Sequence, residues 1–381
     1  MIYLDHAAAT PVRKEVLQVM QPYFTKEFAN PSSIHEAGQK AREAIEKARE
    51  KVRKILNADA EDKIIFTSGG TESINLAIQG MAKASGKKAI ITSGIEHEAV
   101  LACCGALEKE GKVVERIPVN RYGIVKLKEL QEALHDQVAL VSIIYANNEV
   151  GTIQPLQRIS AICKGDNYSK VCVLFHSDAC QAGHEELDVQ KLGVDLLTLN
   201  GSKIYGPKGV GILYVRKGIV LEPLLYGGGQ EYGLRSGTEN VPAIVGFAEA
   251  LELAQKEKKE EKKRLHQLYN YLIKELLKIP ESRLNGHPLQ RASHIVSISF
   301  AGIEGEQLVR HLSEQGIFCS SGSACTSKKI EVSHVLKAMR VPERFARGTV
   351  RFSFGKGNTL QEMKKVANVV EEVVRTLRKA N

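Results

Sequence analysis

Short, mostly apolar runs alternate along most of this chain with longer stretches in which apolar side chains recur every three or four positions. The runs are Ile64–Thr67, Ala89–Thr92, Val113–Ile117, Ala139–Tyr145, Val171–Phe175, Leu196–Leu199 and Gly211–Val215. Residues 138–145 are almost wholly apolar, as a strand covered on both faces requires. Such strands, separated mostly by helical stretches, predict an α/β fold with a mainly parallel sheet. Thr10-Pro11 predicts a helix start, with Thr as N-cap and Pro in the first turn. A second helix is predicted from near Ser33, because Ser33 and Glu36 have capping-box spacing. Its apolar stripe, Ile34, Ala37, Ala41, Ile45, Ala48, Val52 and Ile55, would bury one face.

The pattern changes after about Gly246. A long charged helix follows, then Ile279-Pro280, a shorter strand–helix series and a last helix over Thr359–Arg378. This predicts a large domain over residues 16–255 and a smaller α+β domain formed from residues 1–15 and 256–381.

Composition narrows the function classes. The 381 residues suffice for a substantial core. The net charge of +9 would admit an acidic partner, but the basic residues alternate with Glu on helices, as in Gln255 to Arg264, which reads as a solvated face. With aromatics at 6% and no interleaved basic–aromatic motif, nothing points to nucleic acid. Seven irregularly spaced Cys do not form a disulfide framework, the start lacks a secretory pattern, and no apolar stretch reaches a membrane span. A reducing cytoplasm is the expected compartment.

Parallel sheets place ligands at the carboxyl ends of their strands, so the loops after the apolar runs are where chemistry is expected. Residues 65–76 read strand, Gly69-Gly70 turn, then a helix opening at Thr71; this is either an anion cradle or a tight turn. His97 follows the next strand, as a helix-capping, packed or catalytic histidine, and no HExxH metal motif surrounds it. Asp178 ends a buried strand and needs a positive partner, either a pyridinium nitrogen or an arginine. Lys203 lies between a buried strand and a Gly/Pro-rich turn, where desolvation would lower its pKa and suit it to a Schiff base. GPKGVG precedes a strand instead of following one, so it is not a dinucleotide loop. Cys325 sits in the small-residue segment SSGSACTS, an exposed and mobile setting, whereas Cys103 and Cys172 have the apolar surroundings of buried thiols. Cys319 and Cys325 lack the CxxC or Cys/His clustering of a metal site.

Taken in order, TSGGTES, NNEVGT, SDACQA, SKIYGPKG, RSGTEN and SSGSACTS closely resemble the cysteine desulfurases, in the class V aminotransferase group of fold-type I pyridoxal-phosphate enzymes. The resemblance runs from Tyr3–Thr10 (YLDHAAAT) to Arg351–Gly355 (RFSFG). It implies an aspartate aminotransferase-like large domain, a smaller domain carrying the Cys segment, pyridoxal 5′-phosphate as cofactor and L-cysteine as substrate. Sulfur would pass to an enzyme persulfide, with L-alanine released. By position, Lys203 matches the Schiff-base lysine and Asp178 the acid at the ring nitrogen. Gln181 and Asn148 match residues at the phenolic oxygen or substrate side. His97 matches the ring-stacking histidine, and Gly70 and Thr71 belong to the phosphate turn. Arg351 matches the arginine gripping the substrate carboxylate, and Cys325 the sulfur acceptor. Thr238 matches a threonine that reaches the phosphate of the other subunit, implying a homodimer with shared sites.

Two departures accompany the resemblance. Asn200 and Ser202 (NGSK) replace the family's frequent Ser and His before the lysine, altering two expected phosphate contacts. The chain also ends at Asn381 without the longer tail some relatives use to dock a scaffold, which leaves the acceptor open between an iron–sulfur scaffold and another thiolation partner. Selenocysteine lysis and other class V reactions are the alternative activities.

Overall fold

The computed structural model describes residues 1–165, 171–321 and 332–380. A short strand β1 (Ile2–Tyr3) opens the chain. Seven strands then form one sheet: β2 (Lys63–Thr67), β3 (Ala89–Ser93), β4 (Val113–Ile117), β5 (Val138–Ser142), β6 (Leu174–Asp178), β7 (Leu196–Asn200) and β8 (Gly211–Val215). Their spatial order is β2-β8-β7-β6-β5-β3-β4, with β8 antiparallel to both neighbours and the remaining pairs parallel. The expected mainly parallel α/β sheet is therefore present. Strands β3, β5 and β8 are buried along their whole length, which is why their sequences read as continuous apolar runs.

The strand expected at Val171–Phe175 is displaced to Leu174–Asp178, because its end is polar yet internally satisfied. His176 bridges Ser142 Oγ (2.9 Å) and Thr198 Oγ1 (3.0 Å), so a polar row crosses β5, β6 and β7 without an unpaired group.

A second sheet contains β9 (Ser282–Leu284), β10 (Ile295–Phe300), β12 (Ser320–Ser321) and β13 (Thr349–Ser353), in the order β12-β13-β10-β9. Between β10 and β12 in sequence, β11 (Ile317–Phe318) pairs in parallel with β1. Around this sheet a separate apolar cluster includes Ile2, Leu4, Leu268, Leu272, Phe300, Phe352 and Val370. The helix Val241–Leu276 contributes to both this cluster and the one beneath the seven-stranded sheet.

Two predicted helix starts move. No helix begins at Thr10-Pro11; the first is Lys14–Met20, with Arg13 at its N-cap. Thr10 instead donates through Oγ1 to Ser202 O and accepts from Tyr205 N (2.8 Å), tying the N-terminal segment to the Lys203 turn. The next long helix is Glu36–Leu56, capped by His35, whose Nδ1 accepts from Gly38 N (3.2 Å). Ser33 lies in the preceding turn, and Ile34 and Ala37 are exposed; the buried face is Ala41, Ala44, Ile45, Ala48, Val52 and Leu56. The last helix is Leu360–Ala380. Cys103 is buried as expected, but Cys172 is exposed, because it precedes β6 instead of lying within it. Among the described residues, no helix is long and apolar enough to cross a membrane.

Candidate active site

A cavity of about 230 Å³ opens at the carboxyl ends of the parallel strands. Its wall includes Gly70, Thr71, His97, Asn148, Asp178, Gln181, Asn200, Lys203 and Arg351. Residues almost 300 positions apart thus converge: the parallel strands deliver their following loops to one edge of the sheet, and β13 of the second sheet brings Arg351 to the same edge.

Lys203 lies in a one-turn helical segment, Gly201–Lys203, just after β7. Its Nζ donates to Ala8 O from the N-terminal segment. Burial lowers the pKa of this amine; the neighbouring Cys180 opposes that shift, and the cationic Arg351 reinforces it. A lysine so placed spends more time as the neutral nucleophile. Asp178, at the end of β6, is buried and accepts from Cys180 N (2.9 Å) through Oδ1. Gln181 Nε2 donates to Ala7 O (2.8 Å), which fixes its amide orientation at the wall.

The turn between β2 and the helix Gly70–Ala84 needs its glycines. Gly69 has φ +150°, and a Cβ on Gly70 would lie 2.7 Å from Cys180 Sγ. The helix start therefore approaches the cavity with bare backbone, and Thr71 follows on the exposed rim. Asn200 Oδ1 accepts from Ser202 N (3.2 Å) and Oγ (3.3 Å), so these two side chains organise each other. Asn200 reaches the cavity wall, whereas Ser202 does not line it. His97 caps the helix Glu98–Lys109 through Nδ1, accepting from Ala99 N (3.0 Å), while its ring lines the cavity. The capping reading and the cavity position hold together for one residue.

Arg351, on β13, donates through Nη1 to Asn148 O (2.9 Å) and through Nη2 to Asp5 Oδ1 (2.8 Å). Its Nε, and Oδ1 of Asn148, are buried without partners. These are the groups a polar ligand would satisfy. Thr238 lies apart, in a neighbouring cavity of about 220 Å³ with Glu231 and Arg235. Cys325 lies outside the described residues.

Some residues in and behind the cavity wall carried no sequence signal of their own. Ala7 and Ala8 act through backbone carbonyls, which side-chain motifs do not report, although both fall within YLDHAAAT. Asp5, in the same motif, emerges only through its ion pair with Arg351. Glu96, directly before His97, is fully buried and accepts from Ile144 N (3.0 Å) and from Ser93 Oγ. Its second carboxylate oxygen has no partner.

This chain belongs to the class-V aminotransferase family, whose model matches residues 2–366. Within that family it is similar to cysteine desulfurases. It is 50% identical to the cysteine desulfurase IscS of Methanosarcina thermophila over 380 residues, covering 99% of this chain and 93% of the relative. Identity to the cysteine desulfurase IscS of Dictyoglomus turgidum is 47% over 381 residues, covering 99% and 95%. A solved NifS-like protein superposes with a TM-score of 0.91 at 40% identity, covering 98% of this chain and 99% of that one. A structure of SspA in complex with cysteine superposes with a TM-score of 0.80 at 36% identity, covering 93% and 99%.

Enzymes of this family work with pyridoxal 5′-phosphate. The cavity fits such a group: an amine with depressed basicity faces it, a buried carboxylate stands at a strand end, and a helix start too crowded for a Cβ offers its backbone. Among the described residues no cluster of His, Cys, Asp and Glu could hold a metal ion.

Proposed function

We propose that this protein is a cysteine desulfurase that converts L-cysteine to L-alanine and passes the sulfur to Cys325 as a persulfide. The observation that carries the reading is the convergence of Lys203, Asp178, His97 and Arg351 on one cavity. Their spacing in the chain is unrelated to that convergence, and each has the chemistry one part of the reaction needs.

Lys203 is the residue that would hold pyridoxal 5′-phosphate covalently, with Asp178 at the ring nitrogen, Gln181 and Asn148 at the ring edge, and Gly70, Thr71, Asn200 and Ser202 toward the phosphate. When bound, the cofactor supplies an electron sink for charge developing at the substrate α-carbon. Arg351 holds the substrate carboxylate, a task suited to a planar guanidinium with free donors. Lys203, partly desolvated, takes and returns the α-proton at Nζ. His97 moves a proton at the thiol, and Cys325 accepts the sulfur.

The same reading makes the protein a homodimer in which Thr238 reaches the partner subunit's phosphate site. It divides the chain into a large domain over residues 16–255 and a small one formed by the rest. It also places the protein in the cytoplasm, where the persulfide feeds an iron–sulfur scaffold or another thiolation partner.

The test is direct. Purified protein should be yellow and should release sulfide and alanine from L-cysteine in the presence of a reductant. Lys203→Ala should lose the visible absorbance, and Cys325→Ala should keep it while losing sulfide release. A colourless protein that gains no colour with added pyridoxal 5′-phosphate would overturn the proposal.

A further inference from the structure

Arg351 is already occupied before any substrate arrives. Its Nη2 donates to Asp5 Oδ1 at 2.8 Å and to Ser320 Oγ at 3.2 Å, and Ser320 Oγ donates to the same Asp5 oxygen at 2.7 Å. The three side chains close a triangle. The Arg351 and Asp5 side chains are 12% and 21% exposed, so this pair is far less screened than an ordinary surface pair.

The backbone fixes all three corners. Ser320 stands opposite Arg351 in the β12–β13 register, and Asp5 bridges to Ser353, two residues along β13 from Arg351. Leu4 N donates to Phe318 O (2.7 Å), Ser353 N donates to Leu4 O (2.7 Å), and Ala7 N donates to Ser353 Oγ (2.9 Å). The carboxylate thus has little freedom to follow a moving arginine.

Arg351 lines the cavity, but neither Asp5 nor Ser320 does. They hold the guanidinium from behind and to one side, while Asn148 O takes Nη1. Of the five guanidinium N–H donors, the Nε–H is buried and without a partner. An arginine on a long, flexible stem would otherwise lose considerable side-chain entropy on gripping a ligand.

We propose that Asp5 is a positioning residue for substrate binding: with Ser320 it holds the Arg351 guanidinium in the orientation that receives the amino-acid carboxylate. This rests on the reading of Arg351 given above. Because the carboxylate is bound alike before and during the reaction, the arrangement acts on binding more than on turnover.

The test is steady-state kinetics of the pyridoxal-phosphate-loaded enzyme with L-cysteine, checked first for wild-type colour. Asp5→Ala should raise KM about tenfold or more with kcat within about twofold. Asp5→Asn keeps an acceptor oxygen at the same place and should recover KM to within about threefold of wild type. Ser320→Ala, a milder change should Asp5→Ala fail to fold, should raise KM a few-fold. Wild-type KM in Asp5→Ala or Ser320→Ala, a fall in kcat at constant KM, or an Asp5→Asn variant as impaired as Asp5→Ala would overturn the proposal. Arg351→Lys separates the two levels. If it raises KM and Asp5→Ala does not, the positioning role has failed; if neither does, the carboxylate role of Arg351 has failed with it.

Discussion

Replacing Glu231 by Ala should destabilise this protein far more than its loop position suggests. The Glu231 side chain is 2% exposed and that of its partner Arg49 is 5% exposed. Two parallel hydrogen bonds join them, Nη1 to Oε2 at 2.8 Å and Nη2 to Oε1 at 2.9 Å. Oε2 also accepts from Phe66 N (2.8 Å) on β2, and Arg49 donates to Ile64 O. The guanidinium lies 5.0 Å from the Phe66 ring centre and 5.2 Å from that of Tyr232. Burial works against the arginine's charge, and the Glu231 carboxylate more than offsets it, so the pKa of Arg49 is raised. Removing the carboxylate leaves that cation buried with only the largely exposed Glu46 on its Nε (3.2 Å), and strands a β2 amide. Breaking such a pair from one side costs ~3–5 kcal/mol, a large part of a net stability of roughly 5–15 kcal/mol. Urea unfolding followed by circular dichroism should register the loss. Replacing both partners, as Arg49→Met with Glu231→Leu, removes the stranded cation but leaves Phe66 N and Ile64 O without these partners, so it should recover only part of the loss. A Glu231→Ala loss below about 1 kcal/mol, with an unchanged urea slope, would refute the burial argument.

Three further outcomes follow from the same geometry. Burial lowers the pKa of His6 to about 4 and those of His176 and His294 to about 3, so the unfolded chain gains protons that these side chains refuse. Stability should therefore be intact above about pH 6.5 and fall by up to ~1.4 kcal/mol per histidine per pH unit below it; a urea midpoint that stays flat from pH 6.5 to 4.5 would contradict this. Burial raises the Glu96 carboxyl to about 8 against the hydrogen bonds from Ser93 and Ile144, so the folded protein keeps a proton that the unfolded chain releases above about pH 4.5. The stabilising effect of that proton is lost as pH rises toward 8, and Glu96→Gln should be more stable than wild type at pH 8.5; lower stability there would count against a neutral Glu96. Gly70→Ala brings a Cβ to 2.7 Å from Cys180 Sγ and should weaken pyridoxal-phosphate binding roughly tenfold in an absorbance titration. Cys180→Ala should rescue it, and failure of that rescue would show that the crowding lies elsewhere.

Most of the large sheet was legible because its central strands are buried on both faces and therefore largely apolar, while the edge strand β4 carries Glu115 and Arg116 on a partly exposed strand. The exception, β6, ends in His176, Ser177 and Asp178, whose polarity hides the strand until the bonds from Ser142 and Thr198 to His176 are seen. Thr10-Pro11 and Ser33 carry genuine helix-start chemistry, yet tertiary bonds to the Lys203 turn claim the first, and His35 takes the capping role at the second. In the site, Lys203, Asp178 and His97 were marked by strand position and motif and Arg351 by motif resemblance alone, and the cavity brings them together. Asp5 and Glu96 were not marked, because what sets them apart is a partner or a missing partner far away in sequence. Chain order holds no record of such pairings.

The helix Val241–Leu276 has a mechanical consequence. At 36 residues it is roughly 54 Å long. Val241 to Ala254 anchor one end beneath the large sheet, and Leu265 to Leu276 anchor the other beside the small one. Between Ala254 and Leu265 no residue is buried, yet polar contacts tie this midsection down: Gln255 Nε2 donates to Gly183 O (2.7 Å), Glu257 pairs with Arg13 and Lys356, and Arg264 donates to Gly355 O (2.8 Å). Asp178 and Lys203 stand at the ends of strands of the large sheet, and Arg351, with Asp5 beside it, stands on a strand of the small one. The helix is therefore a strut shared by both apolar clusters and held along its length. One rod packed into both clusters thus helps fix the spacing between the strand that carries Arg351 and the strand that delivers Lys203.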